Sequence, residues 1–558
     1  MVKNMKFCGQ DEKIRKYLLP NRLLWKSGRI DGEDALFREK DLQIFTNEPD
    51  CMVMENTDDG TNAAVLLDFG VEFSGGVRIL TEMCSGNMTP DFRLTFGESA
   101  MEAMSDIGYK NSTNDHFVRD LQIKLTTFSD MEFCQTGFRF ARLELLSPNV
   151  KVRIKSIIGV FAYRDLEYQG SFVCSDETLN RIYDVAAYTC HLNMQNMLWD
   201  GVKRDRLVWI GDMHPEMLTI RTVFGYHKCI EEGLDFSIRK CPLPDYPNHM
   251  VTYAMWWLVI ARDWYMHNGN DAFLKSHRDY ILNLTEQLCS LVDDEGKDAL
   301  GQYDTGYFLD WPNFGKETAV PGVRALFSLA LRAASALCDM LGATEMSALA
   351  ERKAAVLTEY SSGSCEAKAS AALMMLAGHM EPQKGADEVL LQNGAKGFST
   401  FMSYYQLTAL AKAGRYEEAL SILKTYYGGM LAAGATTFWE DFDIDWLKEG
   451  ARIDRICQDG EYDIHGDNGA HCYIGYRHSL CHGWSSGPTA FLAEQVLGIE
   501  IVEPGCKTIR LTPHLGGLQW AKGTYPTPYG VLSVSHVMQP DGTVKTEYQA
   551  PKEITVLS

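Results

Sequence analysis

The 558-residue chain lacks the features that mark several common classes of protein. Its 15 cysteines are scattered and never form Cys-x-x-Cys, so they predict neither a zinc cage nor a disulfide framework but inert thiols in a reducing compartment. Positive charge is scarce: 53 Lys and Arg stand against 74 Asp and Glu, a net charge of −21. That surplus of negative charge repels phosphate backbones and anionic lipid heads, so we expect no nucleic-acid or membrane-surface partner.

Long hydrophobic runs are also missing. Residues 1–30 alternate charged and apolar side chains without a continuous apolar stretch, which argues against a signal peptide. The most apolar run, residues 250–261, has about 12 residues and is too short to span a bilayer. The sequence therefore predicts a cytoplasmic protein without a membrane partner. It leaves the oligomeric state open, with a homodimer as one alternative.

Several catalytic signatures are absent as well. The chain has no phosphate-cradling glycine loop, no Gly-x-Ser-x-Gly and no His-Glu-x-x-His. Four histidines are crowded near the end, but their successive spacings of six, seven and four residues fit no common ligand motif: His465, His471, His478 and His482. We therefore expect no metal site among them.

The hydrophobic pattern changes twice along the chain. Short β-like runs separated by turn residues occupy residues 65–162, with a bulge or tight turn expected at 70–76, where three glycines cluster. Residues 176–497 have helical periodicity, opening after a predicted cap at 175–177 and broken by Gly342 and Gly414. After Gly498 the pattern is again β. The prediction is an extension (1–30), a β-sandwich (31–170), an all-helical barrel of hairpins (171–500) and a second β-sandwich (501–558).

The densest polar cluster, residues 199–212, sets three carboxylates and three cations between two indoles. The glycines Gly201 and Gly211 favour a loop over an exposed helix face. The alternative is a solvated charged loop. Trp beside ion pairs favours an aromatic-lined polar pocket instead.

Two further clusters and a weaker patch come later. In residues 435–443, Glu440 directly follows an indole, and its alternative role is a capping acid in a turn. In residues 479–488, His482 is a second candidate; there the alternatives are a core histidine and serine caps for the last helix. Residues 308–312 pair an acid with an aromatic, whereas residues 255–257 fit a helical core.

What remains is acids and indoles in an acidic, largely helical protein, a combination that points to sugar chemistry. Two carboxylic groups can cleave a glycosidic bond when one protonates the leaving oxygen and the other works on the opposite face.

The two acidic clusters resemble glycoside hydrolase family 78, the α-L-rhamnosidases. Residues 200–212, with their Arg-Asp-Arg-x-x-Trp-x-Gly-Asp core, resemble the family signature, and residues 436–440 resemble its Thr-Thr-x-Trp-Glu motif. The resemblance extends to the His-Gly-Trp at 482–484, the Leu-Asp-Trp at 309–311 and the β segments on both sides, so it covers nearly the whole chain from about residue 30.

This resemblance implies an (α/α)6 barrel flanked by β-sandwiches. It implies inverting release of terminal α-L-rhamnose from a rhamnosyl glycoside, with no cofactor or metal required. Glu440 matches the general base that activates water. The residues expected to hold the sugar or line the pocket are Asp200, Arg204, Trp209, Asp212, Asp310, Trp311, Trp439 and His482.

One departure concerns the general acid. The family commonly reads Arg-Asp-Glu-Arg, with the Glu as acid, but residues 204–206 lack it, and Gly201-Val202 replaces the usual Cys-Pro. Asp205 is then the first candidate, one methylene shorter and flanked by cations that favour its charged form, with Asp212 and Asp200 behind it.

Two alternatives therefore accompany an inverting rhamnosidase. One is another enzyme on the same barrel, a phosphorylase or a hydrolase of another deoxy sugar, with a basic pocket at residues 203–206. The other is a carbohydrate-binding protein that has lost its acid.

Overall fold

The computed structural model describes residue 9, residues 11–57 and residues 60–557. The predicted order of sheet, helices and sheet is confirmed. The strands that precede the helices are Lys13–Leu18, Arg22–Ser27, Arg29–Asp31, Met52–Asn56, Ala64–Ser85, Asp91–Gly97, Asp120–Lys124, Ser129–Leu145, Val150–Arg164 and Ser171–Cys174.

Nine of these strands, counted over the described residues, form one N-terminal sheet. The long strand Ala64–Ser85 pairs with both Ser129–Leu145 and Val150–Arg164. The segment predicted as an extension contributes Lys13–Leu18 and Arg22–Ser27 to this sheet, while residues 1–8 and 10 lie outside the described residues. The N-terminal sheet region therefore begins earlier than the sequence pattern indicated.

The bulge expected at residues 70–76 is present. The register between Ala64–Ser85 and Ser129–Leu145 shifts between Asp68 and Phe73, and again between Gly75 and Val77. Gly75 has a φ of +154°, and a Cβ there would lie 1.8 Å from the carbonyl oxygen of Val160. Only glycine allows the neighbouring strand to approach so closely.

The helical region begins as the sequence predicts. The Asp176 carboxylate accepts hydrogen bonds from the amides of Thr178 and Leu179, which caps the first helix. The α-helices that follow are Glu177–Asn193, Met213–Val223, Cys229–Lys240, Val251–Asn268, Asp271–Ser276, Arg278–Cys289, Ala319–Met340, Thr344–Tyr360, Lys368–Ala377, Pro382–Gly385, Ser403–Lys412, Tyr416–Ala432 and Pro488–Phe491. Both Gly342 and Gly414 occupy left-handed turns between consecutive helices, as expected.

Over the described residues, six helices make a closed ring in which each contacts the next and the last contacts the first: Met213–Val223, Val251–Asn268, Ala319–Met340, Lys368–Ala377, Ser403–Lys412 and Pro488–Phe491. One of them, Ala319–Met340, is long and apolar enough to cross a membrane by length and composition alone. However, 67% of its most apolar window is buried, and it packs against four neighbouring helices. It is placed as a core helix of the ring.

Two small sheets follow the helices. Ser171–Cys174 pairs with Trp520–Thr527, which continues into Gly530–Met538 and Val544–Gln549; the other sheet contains Ile499–Ile501, Thr508–Leu511 and Thr555–Leu557. The strand at 171–174, predicted as the start of the helical domain, therefore belongs to the C-terminal sheet. These sheets share one hydrophobic core with the helices, whereas the N-terminal sheet has a core of its own.

Candidate active site

A cavity of about 310 Å³ lies where the loops at one end of the helices meet the N-terminal sheet region. It is lined by acids, cations and aromatic rings brought together from six parts of the chain. Its charged or titratable lining includes His116, Asp200, Arg204, Asp205, Asp212, Glu440, Arg477 and His482. Such a volume lies at the lower end of the range of small-molecule sites, about 300–1,000 Å³.

The loop at 200–212 is folded inward, and most of its residues are buried. Asp200, Lys203 and Arg204 are between 2% and 4% exposed. The Asp200 carboxylate accepts the Leu207 amide at 2.9 Å, and the Asp200 amide donates to the Leu207 carbonyl at 3.1 Å, so the loop closes as a tight hairpin. The solvated-loop interpretation is therefore wrong.

Asp205 lies at the tip of this hairpin, where both it and Arg206 have positive φ (57° and 58°). Asp tolerates this left-handed conformation better than most residues. Its side chain is 19% exposed, and its Oδ1 is 2.7 Å from the Arg204 guanidinium. Asp205 thus faces the cavity while staying close to its opening.

Glu440 is deeply buried on the other side of Arg204. Its Oε1 bonds to the Arg204 guanidinium, and its Oε2 accepts the Ser479 amide at 3.2 Å. Burial opposes ionisation, but the charges of Arg204 and His482 outweigh it and lower the pKa of Glu440 to about 2. The capping role is wrong for Glu440, because Asp443 caps the following turn instead.

Arg204 bridges the two candidate acids, with Nη1 on Asp205 and Nη2 on Glu440. The two carboxylates therefore lie on either side of the Arg204 guanidinium, each within hydrogen-bond reach of it.

A second polar group lies beside Glu440. His482 Nε2 is 3.0 Å from the Asp212 carboxylate, and Asp212 also accepts Tyr253 Oη at 3.5 Å. Burial alone would lower the pKa of His482, but Glu440 and the hydrogen-bonded Asp212 raise it. Burial raises the pKa of Asp212 and of Asp200. His482 Nδ1 is buried without a hydrogen-bond partner among the described residues and borders the cavity, so it can serve a substrate hydroxyl.

The backbone at His482 depends on the glycine that follows. A Cβ at Gly483 would lie 1.6 Å from Glu216 Oε1. The serine caps considered for the last helix are wrong: Gly487 precedes Pro488–Phe491, and Ser485 donates to the His482 carbonyl instead.

Lys203 fastens the hairpin to the N-terminal sheet region. Its ammonium lies 3.0 Å from Glu98 and 3.1 Å from Glu102, both buried. Glu98 also accepts the Leu480 amide at 2.6 Å and the Ser479 hydroxyl at 3.2 Å. Glu98 thus contacts the hairpin that carries Asp205 and the loop at 479–480, whose Ser479 amide donates to Glu440. Glu98, Glu102 and His465 are close enough to hold a metal ion, but the Lys203 ammonium already lies between the two carboxylates there.

No sequence pattern pointed to His116. It comes from a loop of the N-terminal sheet region, lines the cavity, and places Nδ1 3.0 Å from Asp205 Oδ1. Its Nε2 lies 3.2 Å from Asp115, which in turn pairs with Arg477. Only a three-dimensional contact links residues 116 and 205, so no local motif could have revealed it.

Of the aromatic residues predicted to line the pocket, some do and one does not. Trp209 and Trp311 line the cavity, as does Trp484. Trp439 does not: its indole is 1% exposed and packs edge-on against Phe442 at 5.5 Å, within the helical core beneath the site. Asp310 also lies outside this cavity, because its carboxylate caps the turn Trp311–Asn313 and borders a neighbouring cavity.

Comparison with known proteins agrees with this architecture. Residues 167–496 match the bacterial alpha-L-rhamnosidase 6 hairpin glycosidase domain, and residues 498–557 match the bacterial alpha-L-rhamnosidase C-terminal domain. An alpha-L-rhamnosidase from Formosa agariphila is 21% identical, with 85% of this chain and 53% of that protein covered. The chain thus spans about half the length of this curated relative.

Two solved structures show the same fold. The family 78 rhamnosidase of Bacillus sp. GL1 aligns with a TM-score of 0.72 at 23% identity, covering 92% of this chain and 55% of that one. A rhamnosidase from Klebsiella oxytoca with rhamnose bound aligns at 0.67 and 18% identity, covering 86% of this chain and 96% of that one. With a family model matching more than half of its residues, the chain belongs to the bacterial α-L-rhamnosidases of glycoside hydrolase family 78, a family of glycosidases.

Proposed function

We propose that the chain is an inverting α-L-rhamnosidase that releases terminal α-L-rhamnose, with Glu440 as general base and Asp205 as general acid. The observation that carries this proposal is the shared cavity: both carboxylates line it, and a single guanidinium, that of Arg204, contacts both. The closed ring of helices supports an (α/α)6 barrel as the scaffold.

Glu440 is suited to the role of general base. Its pKa of about 2 keeps it ionised over the pH range of a folded enzyme, so it can accept a proton from water. Inversion requires a gap of roughly 6.5–9.5 Å between the two carboxyl groups, enough to admit that water. In one turnover Glu440 takes a proton from water, the hydroxyl attacks the anomeric carbon, and Asp205 protonates the departing oxygen.

Asp205 is better suited to the role of general acid than Asp200 or Asp212. Asp200 is committed to the Leu207 amide, and Asp212 to His482 and Tyr253, so both are placed to hold sugar hydroxyls. Asp205 alone among the three lies at the cavity's edge, where a leaving group departs.

The phosphorylase alternative finds less support. Phosphate needs free cations, but Arg204 is held by two carboxylates and Lys203 by Glu98 and Glu102. Arg206 donates to the Gln135 carbonyl and stacks on Trp199. The alternative of a carbohydrate-binding protein assumed a lost acid, whereas we assign the role of the acid to Asp205. The cytoplasmic location and the oligomeric state stay predictions.

Hydrolysis of nitrophenyl α-L-rhamnoside tests the proposal. We expect turnover without phosphate, and a loss of about 100- to 10,000-fold in kcat for both Asp205→Asn and Glu440→Gln. Proton NMR of the first product should show the inverted β-anomer. Cleavage that survives both substitutions would refute the two assignments, and a retained anomer would refute the attack by water.

A further inference from the structure

A group of metal-ligating side chains lies on the loop between the helices Cys229–Lys240 and Val251–Asn268, outside the lining of the candidate active site. Cys241, Asp245 and His249 each offer one ligand atom, and these atoms lie within 4.8 Å of one another. The three residues follow the spacing Cys-x-x-x-Asp-x-x-x-His. A mixed set of this kind lacks the Cys-x-x-Cys pattern, so no sequence motif pointed to it.

The imidazole of His249 is held from both sides. Nδ1 lies 2.6 Å from Asp245 Oδ2, and Nε2 lies 3.9 Å from Cys241 Sγ. Because an ionised carboxylate can only accept, the ring hydrogen is on Nδ1, and Nε2 directs its lone pair towards the sulfur. A carboxylate that orients a ligating histidine through its other ring nitrogen is the usual arrangement at protein metal sites.

The gap between the sulfur and the nitrogen fits a zinc ion. Zinc binds thiolate at about 2.3 Å and imidazole at about 2.0–2.1 Å, which places the two ligand atoms about 3.6 Å apart at the tetrahedral angle. The Sγ–Nε2 distance of 3.9 Å exceeds this by only about 0.3 Å, and the side chain of His249 is 74% exposed and free to close that gap. Thiolate and imidazole together favour zinc over magnesium or calcium, which prefer oxygen ligands.

The charge around the group favours a cation. Over the described residues, the Asp245 carboxylate has His249 as its partner, and no lysine or arginine lies within ion-pair distance of it. The buried ligand group described above differs, because the Lys203 ammonium lies between its two carboxylates. Cys241 is buried whereas Asp245 and His249 are exposed, so an ion can arrive from solvent and still be shielded on the thiolate side.

The turn that carries His249 is already fixed. Asn248, the residue before it, accepts the Ile210 amide at 3.1 Å and donates to the Val208 carbonyl at 3.0 Å. These two contacts lie on either side of Trp209, which lines the catalytic cavity. His249 is therefore preorganised for binding, and an ion there would lie one residue from the contact that holds Trp209.

We propose that Cys241 and His249 bind one zinc ion, with Asp245 orienting the imidazole. Water completes the coordination on the exposed side of the loop, as at other open zinc sites. On binding, the thiol proton leaves to solvent while the sulfur–zinc and nitrogen–zinc bonds form. The site takes no part in the proposed hydrolysis, so the two proposals stand or fall separately.

Cobalt(II) is the probe for this site, because a cobalt–thiolate bond absorbs in the near ultraviolet and cobalt bound only by oxygen and nitrogen does not. We expect the chelator-treated wild-type chain to bind one cobalt ion with this absorption, and zinc to displace it. Cys241→Ser should abolish the absorption. In calorimetric titrations with zinc, His249→Ala and Asp245→Asn should each raise the Kd by about tenfold or more.

The matched control is Cys457→Ser, which removes a half-buried thiol from another loop and should leave the absorption unchanged. Zinc should also raise the unfolding temperature of the wild type but not that of His249→Ala, a substitution of an exposed side chain that keeps the test valid if Cys241→Ser fails to fold.

Two results would overturn the site: no cobalt–thiolate absorption in the wild type, or an absorption that survives both Cys241→Ser and His249→Ala. An absorption lost in Cys457→Ser would place the ion elsewhere and overturn it as well. We expect the metal-free chain to cleave nitrophenyl α-L-rhamnoside, so a failure of the proposed function would appear in that assay and not in the titration.

Discussion

Arg204 couples the two candidate catalytic residues. Its guanidinium stabilises the charge of Glu440, and it is the largest influence that opposes the burial of that carboxylate. Its own pKa is raised by Glu440 and Asp205, against the effect of burial. Arg204 is therefore ionised throughout, and the protonation of Glu440 depends on it.

Replacing Arg204 should change the pH profile. In Arg204→Gln the pKa of Glu440 loses its main lowering influence, and burial should carry it above its ordinary value near 4.5. Because the base must be ionised, kcat/KM then falls as pH drops through that higher pKa. We expect the acidic limb of the kcat/KM profile to move up by about two units or more relative to the wild type.

The control is Arg206→Gln. Arg206 is the neighbouring cation but contacts Trp199 and the Gln135 carbonyl, not Glu440. Its acidic limb should stay in place. An Arg204→Gln profile that superimposes on the wild type would mean that Arg204 does not control the ionisation of Glu440.

At the scale of single residues, the sequence could identify which residue types belong to the site but not the direction in which each side chain points. Glu440 and Trp439 are adjacent and looked equally suited to the cavity, yet one lines it and the other fills the core. Asp310 and Trp311 divide in the same way between two cavities. Which way each side chain points depends on loop geometry without a periodic pattern, so it could not be predicted.

The hairpin at 200–212 is the element that holds the candidate acid, and Lys203 is its anchor. Lys203 is buried between Glu98 and Glu102 and also donates to the carbonyls of Tyr476 and His478. The pKa of Glu98 is raised to about 7, chiefly by burial, even with Lys203 in place. The ionisation of Glu98 thus depends on the charge of Lys203.

Lys203→Met should destabilise the protein in a pH-dependent way. Removing one partner of a buried ion pair costs about 3–5 kcal/mol because a charge is left uncompensated. Below pH 7 Glu98 takes up a proton, so the loss should shrink as pH falls from 8 to 5. Urea unfolding at both pH values measures this. We also expect lower rhamnosidase activity, since the hairpin at Asp205 loses its anchor.

Lys353→Met provides the comparison, because Lys353 pairs with the exposed Asp294. Its unfolding midpoint should match the wild type at both pH values. Equal losses for Lys203→Met at pH 5 and pH 8 would contradict the role assigned to Glu98.

Elements were predicted well where periodicity is strong. The cap at Asp176 and the breaks at Gly342 and Gly414 all occur where expected, because capping and left-handed turns have local signatures. The β-like runs predicted on either side of the glycines at 70–76 are instead parts of the single strand Ala64–Ser85. The glycines between them signalled an interruption, and the structure shows that a bulge can bend a strand without ending it.

At the scale of the whole molecule, the distribution of cores divides the chain differently from the pattern of strands and helices. The C-terminal sheets alternate like a separate domain, but their inward side chains belong to the same core as the helices; among them are Ile499, Ile509, Leu511, Tyr525 and Leu532. Sequence periodicity shows which face of a strand is buried, but not against which partner. The boundary predicted at residue 501 therefore does not separate two cores.

Two truncations should consequently behave in opposite ways. A chain ending at residue 497 loses these side chains, each worth about 1.5–3 kcal/mol when buried, against a typical total stability of about 5–15 kcal/mol. It should not fold.

A chain of residues 167–557 keeps the helical core intact, because the N-terminal sheet has a separate one. It should unfold cooperatively in urea yet be inactive, since Glu98, Glu102 and His116 are gone. A stable, cooperative fold for the chain ending at 497 would contradict the shared core, and full activity of residues 167–557 would contradict the contribution of the N-terminal sheet to the active site.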